Sequence, residues 1–161
     1  MISLKKQKGF TIVELLIVIV VIGILATLVL VTYTGVQSKA RDTVRQTDID
    51  AVDSHLETFY AQYGFYPSEA DLAQTGTGNF VSTFMQGLDP NSLTSPEGGT
   101  IATAAQSSGN YSYGYVASGT SCTNTTLTTI TGGVPQNNGC SAFVLTADLE
   151  NGGPFVKNSL T

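Results

Sequence analysis

The chain has 161 residues and a formal charge of −5, with 12% of residues charged, 42% hydrophobic, no Trp, one His and two Cys. An acidic balance argues against a nucleic-acid binder, and one His with two Cys excludes clustered zinc sites and leaves little acid–base chemistry for neutral pH. Three of the seven basic residues, Lys5, Lys6 and Lys8, fall in the first nine positions, so losing residues 1–9 takes the side-chain charge from −5 to −8. The composition points away from an enzyme and towards a processed, exported chain.

Residues 10–31 are apolar except for Thr11, Glu14 and Thr27. As a helix they span roughly 33 Å, enough for a hydrocarbon core of about 30 Å. The lysines before them keep the N-terminus cytoplasmic and export the rest of the chain. A cleavable secretory signal would need a shorter apolar run, although Ser38-Lys39-Ala40 formally fits its small-x-small cleavage pattern. A plain anchor explains the length and the lysines but leaves the costly carboxylate of Glu14 without a role.

The run Lys8-Gly9-Phe10-Thr11-Ile12-Val13-Glu14, opening a wholly apolar helix, resembles the leader and N-terminus of type IV pilins and their pseudopilin relatives. The resemblance is close over residues 5–31, looser to Pro67, and architectural beyond. It implies that a membrane-embedded prepilin peptidase cuts between Gly9 and Phe10 and that Phe10 is then N-methylated. It also implies that Glu14 pairs with the terminal amine of a neighbouring subunit, setting axial register in a filament. Pairing with its own amine, or protonation in lipid, is the plainer alternative. Many type IV pilins carry a proline late in this stretch; residues 24–31 have none. Gly23 and Thr27 remain as weak points, Gly costing about 1 kcal/mol relative to Ala in a helix interior.

Beyond the apolar run, Val36, Ala40 and Val44 continue into Ile49, Val52, Leu56, Phe59 or Tyr60, and Tyr63 at helical spacing, one apolar stripe. Arg41, Asp42 and Arg45 read as a solvated face of mixed charge. Gly64 is a natural C-cap and Pro67 a stop. A helix over residues 11–63 would be roughly 80 Å long. Its first half would need lipid or neighbouring helices, and its second half a packed head. His55, beside the stripe, reads as a packing residue. Phe65-Tyr66-Pro67-Ser68 resembles the helix-to-loop turn of pseudopilins and many pilins, and equally reads as an aromatic lid on a small core.

Residues 68–110 are rich in Gly, Ser, Thr and Pro and read as a wrap over the head surface, with a short helical turn at 70–72 and turns at Asp89-Pro90 and residues 95–99. Gly76-Thr77-Gly78 is no phosphate loop, lacking a preceding strand and a following Lys-Ser/Thr. Residues 111–117 alternate at period two and residues 142–149 read as a second strand, with a third, short piece at 127–130. The first two, paired antiparallel over the middle helix, give a compact α+β head.

Cys122 and Cys140 flank the loop between these strands. In an exported chain they read as a disulfide worth about 3 kcal/mol through loop closure, with two buried free thiols as the alternative. Many pilins close a C-terminal loop in this way. The enclosed Thr-rich, uncharged loop is the candidate partner-facing surface. Asn110 and Asn124 match the glycosylation sequon, a chance match behind a bacterial-type leader. Pseudopilins of type II secretion carry calcium near their C-terminus, and Asp148, Glu150 and Asn151 could supply oxygens. Without an Asp-x-Asp-type loop, an acidic turn is the simpler reading and no cofactor is expected.

Together these features imply an α+β, pilin-like chain: residues 1–9 a leader, 10–31 the membrane and filament-core helix, 32–63 the amphipathic helix of the head, and 64–161 a globular head with a β-sheet and disulfide-closed loop. The expected function is a non-enzymatic subunit that polymerises with itself into a type IV pilus for motility, adhesion or DNA uptake. The alternatives are a major pseudopilin of a type II secretion or competence system, and a membrane-tethered binding domain. Implied partners are the prepilin peptidase, a cytoplasmic assembly ATPase and a membrane platform protein, with no direct nucleic-acid contact. The expected location is the membrane, N-terminus in the cytoplasm, before assembly, and the cell surface after it.

Overall fold

The computed structural model describes residues 9–74, 79–107, 109, 111–124 and 135–160, with the backbone alone at 30–32. Lys5, Lys6 and Lys8, Gly76-Thr77-Gly78, Asn110 and the short run at 127–130 lie outside those residues. Two compact units divide the chain, Met1–Ser38 and Lys39–Thr161.

The first unit holds the start of helix α1, Ile12–Tyr63. Its residues are apolar on every face, a composition that only lipid or other helices can satisfy. Each large apolar side chain between Phe10 and Val29 is 47–86% exposed. Gly23 lies within the helix with open space where a Cβ would stand, and the helix runs through it unbroken. Thr27 turns its hydroxyl back onto the carbonyl of Ile24 at 2.8 Å.

In the second unit α1 becomes amphipathic. Ile49, Val52, Leu56 and Phe59 are buried at alternating spacings of three and four, the inward stripe of a helix on a core. The N-terminal end of the expected stripe is different. Val36 and Val44 are exposed, and Ala40 with them. Carried back from Ile49 in phase, the buried face falls instead on Arg45 and Asp42. That reverses the expectation of a solvated charged face at these two residues. The helix ends as its sequence predicts: Gly64, at φ +77°, donates its N–H to the carbonyl of Tyr60 at 2.7 Å, a left-handed closure that favours glycine.

The segment after Pro67 contributes to the core rather than wrapping its outside. Ser68 and Asp71 form a reciprocal capping box on the short helix α2, Glu69–Leu72, and Asn79 caps α3, Phe80–Phe84. A 3₁₀ turn follows at Pro90–Leu93. Leu72, Phe80, Val81, Met85, Leu93 and Ile101 are each at most 5% exposed and join the stripe of α1. Apolar residues set singly or in pairs among turn residues leave no period to read, which is why this segment looks superficial in sequence.

Three strands complete the head: β1 Gly114–Ser118, β2 Ala142–Ala147 and β3 Phe155–Asn158, antiparallel in the order β1-β2-β3. Val116 stands opposite Val144, and Thr146 opposite Val156. Tyr113, Tyr115, Phe143, Leu145 and Ala147 face the core, with Tyr66 edge-on to Phe143 at 4.8 Å between ring centres. The fold is α+β and pilin-like: one long N-terminal helix whose head portion packs on a small three-stranded antiparallel sheet. β3 was not expected from sequence; it is four residues long, half-buried and carries Lys157.

Candidate functional site

Two regions carry the chemistry, one in each unit. In the first, Gly9 and Phe10 precede α1 in an exposed, open stretch, Phe10 being 86% exposed and Gly9 having no atom near a hypothetical Cβ. Glu14 does not stand unpartnered in the apolar run. The backbone N–H of Thr11 donates to its carboxylate at 3.0 Å and the Thr11 hydroxyl donates at 2.8 Å, while the N–H of Glu14 donates to Thr11 Oγ1 at 3.2 Å. This is a reciprocal capping box, and it satisfies helix N–H groups that have no water to turn to in lipid. The signal was present as Thr11-x-x-Glu14 before the apolar run. Weighing Glu14 only as a charge in lipid passes over it.

The second region is an ionic cluster at the start of the buried stripe. Arg45 is wholly buried; its Nη1 meets Asp42 at 2.6 Å, and its Nη2 meets Glu97 at 2.6 Å and Glu150 at 2.9 Å. Arg41, about a third exposed, reaches Glu97 at 2.8 Å and Glu150 at 2.5 Å. The ring of Tyr111 covers the Arg45 guanidinium at 4.4 Å. Glu97 is held by a tight turn in which Gly98, at φ +90°, donates to the carbonyl of Ser95, and Ser95 donates to Gly99. Glu150 lies in the turn between β2 and β3. The N–H groups of Glu150 and Asn151 donate to Asp42 at 2.8 and 2.9 Å.

The hydrogen bonds from Arg41, with those from Arg45, bring the Glu150 carboxyl down to about 2 against the cost of its burial. Burial pushes the Asp42 carboxyl up, but the amides of Glu150 and Asn151 and the guanidinium of Arg45 outweigh it and leave it below the ordinary range. Sequence reasoning missed this cluster because Glu97 and Glu150 lie far along the chain from Arg45 and carry no local signature.

A disulfide joins Cys122 and Cys140, whose Cα atoms are 4.3 Å apart. Glycines at 119 and 139 let the two chain segments pass closely, since a Cβ at either would strike the backbone of the other segment. Residues 125–134 of the enclosed loop lie outside the described residues. Asn124 is tied on both sides of its amide, donating to Glu69 at 2.9 Å and accepting from the N–H of Ala70 at 3.1 Å. His55 is half-buried on α1 beside Phe59 and Phe84, lining an open groove.

Two of the three residues suggested for calcium, Glu150 and Asn151, are already committed to other partners. Glu150 turns both oxygens onto guanidinium groups, and Asn151 donates its side-chain N–H to Asp42 at 3.1 Å. Among the described residues no group of three or more His, Cys, Asp or Glu is arranged to hold a metal.

A helix long and apolar enough to cross a membrane, opened by a Gly-Phe junction and a capped glutamate and continued into a disulfide-bonded α+β head, defines the pilin class of structural subunit. Residues 4–30 match the family described as the prokaryotic N-terminal methylation motif. The chain is 30% identical over 115 residues to type II secretion system core protein G of Dickeya chrysanthemi, covering 71% of each chain. It is 31% identical to the Klebsiella pneumoniae protein of the same name, over 61% of this chain and 66% of that one. A fimbrial protein of Neisseria meningitidis serogroup A is 33% identical over 65% of this chain and 59% of its own. No solved structure matches. The chain belongs to the prepilin and pseudopilin family.

Proposed function

We propose that this chain is a major pseudopilin, a subunit that polymerises into a short envelope filament serving type II secretion. The observation that carries this reading is the likeness to core protein G of Dickeya chrysanthemi, which extends over 71% of the chain and therefore well past the N-terminal motif. In this reading prepilin peptidase cuts between Gly9 and Phe10, and Phe10 is N-methylated. The new amine at Phe10 then offers Glu14 a cation, exchanged for or added to its bonds with Thr11. The exposed apolar residues from Ile12 to Val29 leave lipid to pack against other copies, so assembly is driven by helix packing and a desolvated charge pair. The chain has no nucleotide-binding motif. A cytoplasmic ATPase and a membrane platform protein would supply the work and the docking point.

A type IV pilus subunit is the second reading, favoured by the likeness to the meningococcal fimbrial protein and by the disulfide. Intact-mass and N-terminal analysis of the chain, taken separately from envelope and sheared surface fractions, tests both. A chain beginning at methylated Phe10 and retained in the envelope supports the pseudopilin. The same processed chain concentrated in sheared filaments supports the pilus. A chain still beginning at Met1 in both fractions overturns both and returns it to a tethered domain.

A further inference from the structure

We propose that the guanidinium pair of Arg41 and Arg45 is the resident cation of this head, fastening the β2–β3 turn and the 95–99 turn to α1. The inference rests on the oxygen inventory. Asp42, Glu97 and Glu150 present six carboxylate oxygens, and each lies against a guanidinium or an amide, Glu97 Oε2 meeting Arg45 as an ion pair without hydrogen-bond geometry. Those of Asp42 face Arg45 and the amides of Glu150 and Asn151. Those of Glu97 face Arg41 and Arg45, and those of Glu150 face the same two guanidiniums.

A calcium ion needs six to eight oxygens converging on one point. Here Arg41 grips Glu150 bidentately through Nε and Nη2, while Arg45 spreads Nη1 and Nη2 over three carboxylates, contacts that planar guanidinium groups and not a single point ion make. A divalent ion added to this site would face two positive groups already in place, one of them wholly buried. Because an arginine side chain stays protonated in proteins, the clamp is permanent. It depends on neither metal supply nor metal affinity, and it holds whichever filament the subunit builds.

The test uses the full-length chain in detergent, with unfolding of the head followed by the tyrosines, six of which lie between residues 60 and 115. A resident divalent ion at a hundredfold excess over its dissociation constant would raise the midpoint by about 5–10 °C. Excess EDTA followed by millimolar calcium is expected to move the wild-type midpoint by less than about 1 °C, within the scatter such a linkage would exceed. An EDTA-induced fall of the size a bound ion gives, reversed by calcium, overturns the proposal.

Two variants locate the clamp. Arg41→Ala, at the partly exposed guanidinium, is expected to speed protease cleavage in the turn at 148–153 whether or not calcium is added. Arg45→Lys keeps the charge but cannot span three carboxylates, and is expected to do the same. Wild-type protection of the turn retained by both variants in EDTA would show that the guanidiniums do not fasten it and would overturn the assignment. Arg41→Ala keeps the test open if the buried substitution prevents folding.

Discussion

Between Phe10 and Val29 every large apolar side chain of α1 is at least 47% exposed, whereas Asp42, Arg45, Ile49, Val52, Leu56 and Phe59 are all at most 6% exposed. The backbone is the same continuous helix; the difference lies in who supplies the partner. The first stretch is apolar on every side and must be covered by lipid or by other chains. In the second, one face is covered by the chain's own head. Substitutions in the first stretch should therefore change processing and assembly without touching the head, and those in the second should do the reverse.

The largest expected effect is all-or-none. Gly9→Val should leave residues 1–9 attached, read as the unshortened mass, while the near-ultraviolet circular dichroism of the head stays as in the wild type. A shortened chain would break the assignment of the cut. On the other side of the comparison, Arg45→Met keeps most of the stem but removes the one cation that reaches all three carboxylates, and should cost about 3–5 kcal/mol in urea unfolding. Val44→Ala, one residue away on the exposed face, should stay within about 0.5 kcal/mol. Equal losses would mean that the charged turn of α1 is not buried as described.

Replacing Cys122 and Cys140 together by Ser should cost about 3 kcal/mol from the reopened loop, with the N-terminal mass unchanged. The smallest effect is with pH. The Glu150 carboxyl is held at about 2, below its ordinary 4.5, so its contribution is complete above pH 4.5 and is lost as the pH falls towards 2. Asp42 is depressed and acts in the same sense. Asp48 and Asp53 are raised by burial, so their protonation favours the fold as the pH falls through their raised values towards the ordinary carboxylate range. Head stability should thus change little on mild acidification and fall once the pH drops below about 4. A steep loss between pH 6 and 5, by thermal unfolding, would mean that the ion pairs are not formed.

Local signals were legible and long-range ones were not. The Gly64 cap, the α2 turn and the antiparallel pairing of β1 with β2 each depend on residues close in sequence or on strict alternation. The ionic cluster depends on Glu97 and Glu150 meeting Arg45, and no pattern within the helix announces such partners. One clue existed: continuing the period back from Ile49 lands on Arg45 and Asp42, whereas Val44 breaks the phase. Following hydrophobicity rather than phase led to the wrong face. The core residues between Leu72 and Ile101 were hidden for a related reason, being apolar anchors in a segment held by caps and turns. β3 is too short and too mixed for alternation to register.

The distance between Arg45 and Glu150 along the chain also orders events during synthesis. The N-terminal helix is made first, and Arg45 precedes by 105 residues the carboxylate that completes its surroundings. Until that residue arrives, burying the guanidinium leaves its charge incompletely matched, so closure of the head waits on the far end of the chain. A chain lacking the β2–β3 turn would leave Arg45 without the carboxylate of Glu150 and Asp42 without the amides of Glu150 and Asn151.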